Sequence, residues 1–541
     1  MISTLAHVSN GLQQHRAAPH DRLYVTLYWL TASGLIGWLG WTVFSYPVFT
    51  QSLNNDFWEH SAAIREWMAD LWHPKNPHLA TDTGSPRYMP FYFALAAMGK
   101  MLGLEAIDTL KIGAVFNVAF LSLGAFLFFR LYFRHSLAPL VGLVVLLTGW
   151  GMAWTWSNVY QLRGLLYVAP YPSTFSFAAT LVCLWLQTSL LRTDAPSIGK
   201  FIGLAVLIAL AFASHPLTGA LAVGAAGLLA LTHPNVLPRT RITAIAALGA
   251  GLLLVELWPY YSILQVTLGV SGGEAKSWVN GGNFAWDARP RELLSHPFYA
   301  PTTVLAALGP ALAGFLCLIF LCRQREYRFI LFGALSMLLP YFINLIYPIP
   351  LGHRFLLFAI FFLHLAMIWA ALDLIQRLAQ TGAASLAVKL AAGFMGTVLA
   401  GGLAFNVAFA QFDYRRHVAN WQPVPATIGK VVQSVPANGV VMAQPMLAWP
   451  IPTFGGKVIS LFHPNPMVPD QADRKRDVAR FFDAETPVAQ RRHILNQYRA
   501  THVLIDTTDT ADSVLTYLYL NGTITETMDT LQLIALSSPS S

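Results

Sequence analysis

Apolar runs of roughly 20 residues recur along the chain as far as residue 411, and few folds can accommodate that pattern. They fall at 24–47, 109–131, 138–156, 172–191, 200–214, 216–232, 241–262, 302–322, 328–346, 354–376 and 388–411. Each is long enough, or nearly, to cross about 30 Å of hydrocarbon at about 1.5 Å per residue. The expected fold is a polytopic α-helical membrane protein with about 11 transmembrane helices. Composition agrees: 55% of residues are hydrophobic and 11% charged, where soluble chains carry about 25% charged residues. The net charge of +8 sits largely in short loops between the runs, where the positive-inside bias accounts for it. No nucleic-acid partner is expected. The three cysteines, Cys183, Cys317 and Cys322, lie in or beside apolar runs and supply no disulfide framework.

Loop charge sets the expected orientation. The basic loops Arg130–His135, Arg192–Lys200, His233–Arg241, Arg323–Arg328 and Arg377–Lys389 fall on one side only if residues 89–104 do not cross. That segment is therefore expected to be an interfacial or re-entrant helix. The N-terminus is then cytoplasmic, with 23–49 a retained first span rather than a cleaved signal. The first loop (48–108), the 157–171 loop, the 263–300 loop and the C-terminal part lie outside.

From 412 the composition becomes that of a soluble domain. Asn438–Ala443, Lys457–Phe462, Thr501–Asp506 and Leu531–Leu536 have strand character, and Asp470–Asp483 and Pro487–Tyr498 helical character. Two domains are expected: a transmembrane domain over 1–411 and a small α/β domain over 412–541. The Pro- and aromatic-rich piece Pro445–Pro466 is expected to pack as a loop onto the membrane part.

The densest chemistry follows the first span, in Asn54–Arg65 (NNDFWEHSAAIR). A helix there puts Asp56, Glu59 and His60 on one face. Acidic groups beside a membrane span are costly and call for a reason. Asp56 is the leading candidate for a general base toward an acceptor hydroxyl. Glu59 and His60 are placed to tune it, to position the acceptor, or to join it in holding a divalent ion, Mg2+ or Mn2+; the alternative is a solvated polar face. Asp70, His73, His78, Asp82 and Arg87 follow as candidates to line a cleft. Glu256, near the outer end of its run, is either a site group or the ion-pair partner of an arginine such as Arg354. His353 and Arg354 open a span at its outer end, where a guanidinium suits a phosphate oxygen and snorkelling is the competing explanation. Arg163 and His215 are weaker candidates on the same side; His215 also suits a helix cap. Trp278, Asn280, Asn283, Trp286 and Asp287 have the makeup of a carbohydrate surface. The chain contains no GxxxxGK[ST], HExxH, CxxC or GxSxG motif, which argues against nucleotide-driven pumps and zinc proteases of those types.

In order and placement this pattern resembles the GT-C superfamily of integral-membrane glycosyltransferases. One span leads to an outer loop opening on an acidic helix (NDFWEH). A proline-led apolar helix (SPRYMPFYFALAAMGKML) follows, then many spans and an outer C-terminal domain. The resemblance covers nearly the whole chain as architecture and residues 50–100 as motif. It implies a sugar donor on a polyprenyl phosphate and a first-loop acid acting as base or metal ligand, by position Asp56 with Glu59 second. It also implies a basic group near the lipid phosphate, Arg354 or Arg163. This chain has D-x-x-E where the family often has an adjacent acidic pair.

The expectation is an inverting hexosyl- or pentosyltransferase of a bacterial inner membrane. It moves a sugar from a polyprenyl-phosphate donor to a glycolipid, envelope polysaccharide or protein on the periplasmic side. The alternatives are a polysaccharide polymerase or ligase that uses Arg354 and His215 on pyrophosphate-linked glycans, and a non-enzymatic transporter or assembly subunit for an envelope polymer.

Overall fold

The structure, a computed structural model, describes residues 21–47, 56–151, 158–193, 197–268, 299–347, 349, 351–380, 386–420, 424–463 and 465–537. The aromatic and amide residues Trp278–Asp287 of the 263–300 loop lie outside these.

Among the described residues eight helices are long and apolar enough to cross a membrane: α1 (Asp21–Ser45), α4 (Ala106–Phe133), Pro172–Leu191, Pro238–Val255, Pro301–Leu321, Arg325–Ile343, Gly352–Ala379 and Val388–Phe412. Three shorter apolar helices, Ala138–Thr148, Ile198–Ser214 and Pro216–Thr232, occupy other expected runs. Between α1 and α4 lie two helices of 13 residues, α2 (Phe57–Ala69) and α3 (Pro90–Leu102). At about 20 Å, α3 is too short to span. Proline begins it and Gly103 in the left-handed conformation (φ 65°) ends it. It packs on α2 and α4.

Pro172–Leu191 and Gly352–Ala379 lie deepest, with 89% of the residues in an 18-residue apolar stretch buried, whereas in Val388–Phe412 that share is 17% and apolar side chains such as Leu390 and Phe394 face outward. Lipid offers these helices little hydrophobic drive to associate, so close packing and buried polar contacts hold them. Asn117 Nδ2 donates to Ala169 O (2.8 Å), Ser176 Oγ to Ala211 O (2.8 Å) and Gln187 Nε2 to Ala226 O (3.1 Å). The last helix runs on to Asn420, past the expected domain boundary at 411.

The small C-terminal domain holds a five-stranded sheet in the order β2-β1-β3-β5-β4. The strands are β1 (Val440–Met442), β2 (Lys457–Val458), β3 (His502–Asp506), β4 (Gly522–Met528) and β5 (Leu531–Leu536). β1 pairs in parallel with β2 and β3, while β5 runs antiparallel to β3 and β4. Alternate residues serve two cores. Val441, Leu504 and Leu533 face a core shared with Ile428, Leu447, Ile451 and Leu79 of the first loop. Val440, Met442, Val503 and Ile505 face the helices Gln471–Phe482, Val488–Gln497 and Asp512–Asn521.

Leu79 makes the first loop part of this domain's core, and the backbone completes the join. Val458 N donates to His78 O (2.8 Å), and Leu79 bridges Val458 in parallel, extending the sheet past β2. Lys457 Nζ bonds Glu66 Oε2 (2.6 Å) and Asn76 O (2.7 Å). Thr453 Oγ1 donates to Trp58 O (3.0 Å) and Arg65 Nη1 to Pro452 O (3.1 Å). The segment Pro445–Pro466 thus docks on the first loop, as expected, but as two short helices and a strand.

The hairpin that carries His215 depends on a close approach. A Cβ on Gly219 would lie 2.2 Å from Phe212 Cα and 2.7 Å from its nitrogen, both backbone atoms that cannot yield. Gly219→Ala is expected to cost about 1–3 kcal/mol by overpacking, read as a lower midpoint of thermal unfolding in detergent.

Candidate active site

Asp56 precedes the first turn of α2, and its carbonyl accepts from the backbone N–H groups of Glu59 (3.1 Å) and His60 (3.3 Å). Its side chain makes no capping bond. The carboxylate is 47% exposed and rests near the positive end of the helix dipole. Glu59, one turn on, is 3% exposed. The shared helix face of the two acids therefore divides into an open position and a sealed one.

Four donor atoms surround the Glu59 carboxylate. Arg87 Nε (2.9 Å) and Nη2 (2.5 Å) both reach Oε2, while Trp449 Nε1 (3.1 Å) and His463 Nδ1 (2.8 Å) reach Oε1. Burial alone would raise the Glu59 pKa, but the charges of Arg87 and His463 outweigh it and hold the carboxylate well below its usual range. His463 shows the converse: burial opposes its positive charge, yet Glu59 and then Asp56 raise its proton affinity. His463 Nδ1 also lies 3.5 Å from Asp56 Oδ1 and so joins the two acids.

The ELWPYY segment places Arg87. Trp258 Nε1 donates to Tyr88 O (2.7 Å) and the Tyr261 hydroxyl to Pro86 O (3.1 Å), clamping the carbonyls on either side of Arg87. Glu256 is exposed, and its carboxylate closes the local turn by accepting from Ser262 Oγ (2.6 Å) and Leu264 N (2.8 Å). The aromatic residues beside it, Trp258 and Tyr261, are the ones that hold the Arg87 segment.

His60 lies against Tyr92 (ring centroids 4.8 Å) and Tyr171 (5.2 Å). Its Nδ1 is buried with no hydrogen-bond partner among the described residues. Burial, with Arg87 nearby, keeps its proton affinity well below normal, so it is neutral. His78 Nε2 meets Glu59 O (3.0 Å), and burial lowers its pKa to about 4.

Arg354 ends a 3-10 turn, Gly352–Arg354, at the head of the helix Phe355–Gln380. It lies close enough to Asp56 for their opposite charges to interact. The adjacent His353 is buried. His215 caps Pro216–Thr232 through Nδ1, which accepts from Thr218 N (3.3 Å), and it lies within electrostatic reach of both Arg354 and Arg87. Arg163 lies over the Phe409 ring (5.5 Å). Trp67 is fully buried against Tyr88 and Tyr260, whereas Trp72 is exposed.

Asp56, Glu59 and His60 do not converge as a set of metal ligands. Both Glu59 oxygens already accept from cationic or N–H donors, and His60 turns toward the tyrosines. Among the described residues no group of three His, Cys, Asp or Glu side chains is arranged to hold a metal ion.

No family model matches the chain, and no curated protein matches it by sequence. Solved structures match it by fold. An oligosaccharyltransferase from Archaeoglobus fulgidus, solved with a tethered acceptor peptide, aligns over 94% of this chain and 74% of its own, at 12% identity and a TM-score of 0.53. The arabinofuranosyltransferase AftD from mycobacteria aligns over 97% of this chain at 15% identity and a TM-score of 0.56; the chain spans 40% of AftD. ArnT from Cupriavidus metallidurans, solved bound to undecaprenyl phosphate, aligns over 96% of this chain and 99% of its own, at 12% identity and a TM-score of 0.53.

Replacing Glu59 with Gln leaves the buried Arg87 charge uncompensated. Glu59→Gln is expected to lose about 3 kcal/mol of stability, measured by thermal unfolding in detergent. Glu59, with its pKa depressed, contributes fully above its ordinary value of 4.5 and loses that contribution as pH falls through the lowered pKa. His463, with its pKa raised, contributes fully below its ordinary value of 6.5 and loses that contribution as pH rises through the raised pKa. The cluster therefore stabilises most between those two values, and Glu59→Gln should flatten the profile there.

Over 96% of its length, including the small C-terminal sheet domain, the chain shares the fold of ArnT, a fold it also shares with the oligosaccharyltransferase and AftD.

Proposed function

We propose that the protein is a membrane glycosyltransferase that moves one sugar, with inversion, from a polyprenyl-phosphate donor to a hydroxyl of a glycolipid, envelope polysaccharide or protein. The observation that carries this reading is an open carboxylate, Asp56, within electrostatic reach of the cation Arg354 from another element, beside a Glu59 already held by charge. The end-to-end similarity to a solved structure bound to undecaprenyl phosphate supports the class of donor. The basic loops fit a bacterial inner membrane, with a cytoplasmic N-terminus and the site and sheet domain on the periplasmic face.

In the proposed reaction the acceptor oxygen attacks the anomeric carbon while Asp56 takes its proton. The bond from that carbon to the phosphate oxygen breaks, and its electron pair stays on the phosphate. Arg354 meets the added negative charge. A phosphate leaving group needs little acid assistance, so one carboxylate and one guanidinium suffice. Glu59 is unsuited to be the base because its charge already serves Arg87 and His463, and it acts as a structural anchor.

A second reading, a polymerase or ligase centred on Arg354 and His215, draws on the nearness of those two residues. Complementation of a deletion strain separates the readings, with envelope glycans read by mass. Asp56→Asn, present at normal level in the membrane, is expected to lose transfer by about 100-fold or more, and the missing mass identifies the sugar. Full restoration by Asp56→Asn together with loss in Arg354→Ala would instead favour the polymerase or ligase.

A further inference from the structure

The sheet domain has no assigned task, yet it supplies two of the four donor atoms on Glu59. His463 lies just beyond β2, in a loop fixed from several directions. Gln471 Nε2 donates to His463 O (3.0 Å), and Lys475 Nζ donates to Phe462 O (3.0 Å). Trp449 stacks on Phe462 (5.1 Å) and meets the His463 ring edge to face (5.0 Å). The imidazole is therefore presented in one orientation by packing that belongs to the sheet domain.

Its Nδ1 meets two acids, Glu59 Oε1 at 2.8 Å and Asp56 Oδ1 at 3.5 Å. Glu59 does not need His463 for charge balance, since Arg87 already contacts it through two nitrogens. His463 adds a link to Asp56. That carboxylate makes no capping bond and is half exposed, so its own helix does little to fix its rotamer. A base must be held within a fraction of an ångström of its productive geometry, and displacement by about 1 Å costs on the order of 100-fold.

We propose that His463 is a positioning residue for sugar transfer, delivered by the C-terminal domain, which ties Asp56 to the Glu59–Arg87 pair and thereby completes the site. This rests on the reading of Asp56 as base. It gives the sheet domain a role in the reaction: the carboxylate is set only when that domain is docked on the first loop through Leu79, Thr453 and Lys457.

Full-length His463→Phe and His463→Asn proteins test this, in membranes supplied with lipid extract of the deletion strain as donor source. Phe keeps the ring packing and removes the nitrogen, whereas Asn places an amide N–H near the Nδ1 position. The initial rate is measured against extract concentration and pH, with thermal unfolding in parallel. His463→Phe is expected to lose about tenfold or more in maximal rate, with the half-saturating extract concentration within about twofold and a changed pH profile. His463→Asn is expected to recover most of that rate. Lys457→Met, which weakens the docking itself, should lower thermal stability and maximal rate together, with the shape of the pH profile unchanged, whereas His463→Phe changes that shape. Loss of thermal stability in His463→Phe with an unchanged maximal rate and pH profile would overturn the proposal. So would equal losses in His463→Phe and His463→Asn. An inactive Asp56→Asn beside a fully active His463→Phe sinks this inference alone, whereas an active Asp56→Asn sinks the base assignment beneath it.

Discussion

The buried Glu59–Arg87 pair is the interaction on which the rest of the site depends. A carboxylate sealed among apolar rings costs several kcal/mol unless it is paired and fully hydrogen-bonded. Every part of that compensation comes from elsewhere in the chain. Arg87 sits on a loop clamped by Trp258 and Tyr261, and Trp449 and His463 belong to the C-terminal domain. Four separate segments must therefore arrive together before Glu59 is satisfied.

This arrangement joins membrane and sheet domains around the first loop. That loop lends Leu79 to the sheet domain's core and receives Lys457, Thr453 and His463 in return. The join combines apolar packing, backbone pairing at the β2 edge and a partly buried ion pair. Pairing at that edge also covers N–H and C=O groups that an open strand would leave free to associate. The opposite edge, β4, is protected differently, by Glu526 and a bulge between Ile524 and Glu526.

Sequence periodicity made much of the fold legible. Long apolar runs locate the helices because lipid requires both length and hydrophobicity. β1, β3 and β5 were legible because they are short and apolar, and the helix Gln471–Phe482 because it is amphipathic. β4 was not: GTITETM is mostly exposed and lacks an apolar face. Glu256 stood out because an ionisable residue at the end of an apolar run resembles a site group, and only the fold shows its turn-closing bonds. Arg87 was visible as one polar residue among several. His463 and Trp449 carried no signal beyond their aromatic, proline-rich surroundings.

The sequence alone determined the membrane-spanning helical class, the presence of a small α/β domain, and a helix face bearing Asp56 and Glu59, because periods of 3.6 and 2 residues and run length are local properties. Only the tertiary structure decided which acid is open and which is sealed. Spacings of three and four put both on one face whatever packs against it. Burial and charge compensation depend on Arg87, Trp449 and His463, the last two 390 and 404 residues away, and no local pattern encodes that meeting.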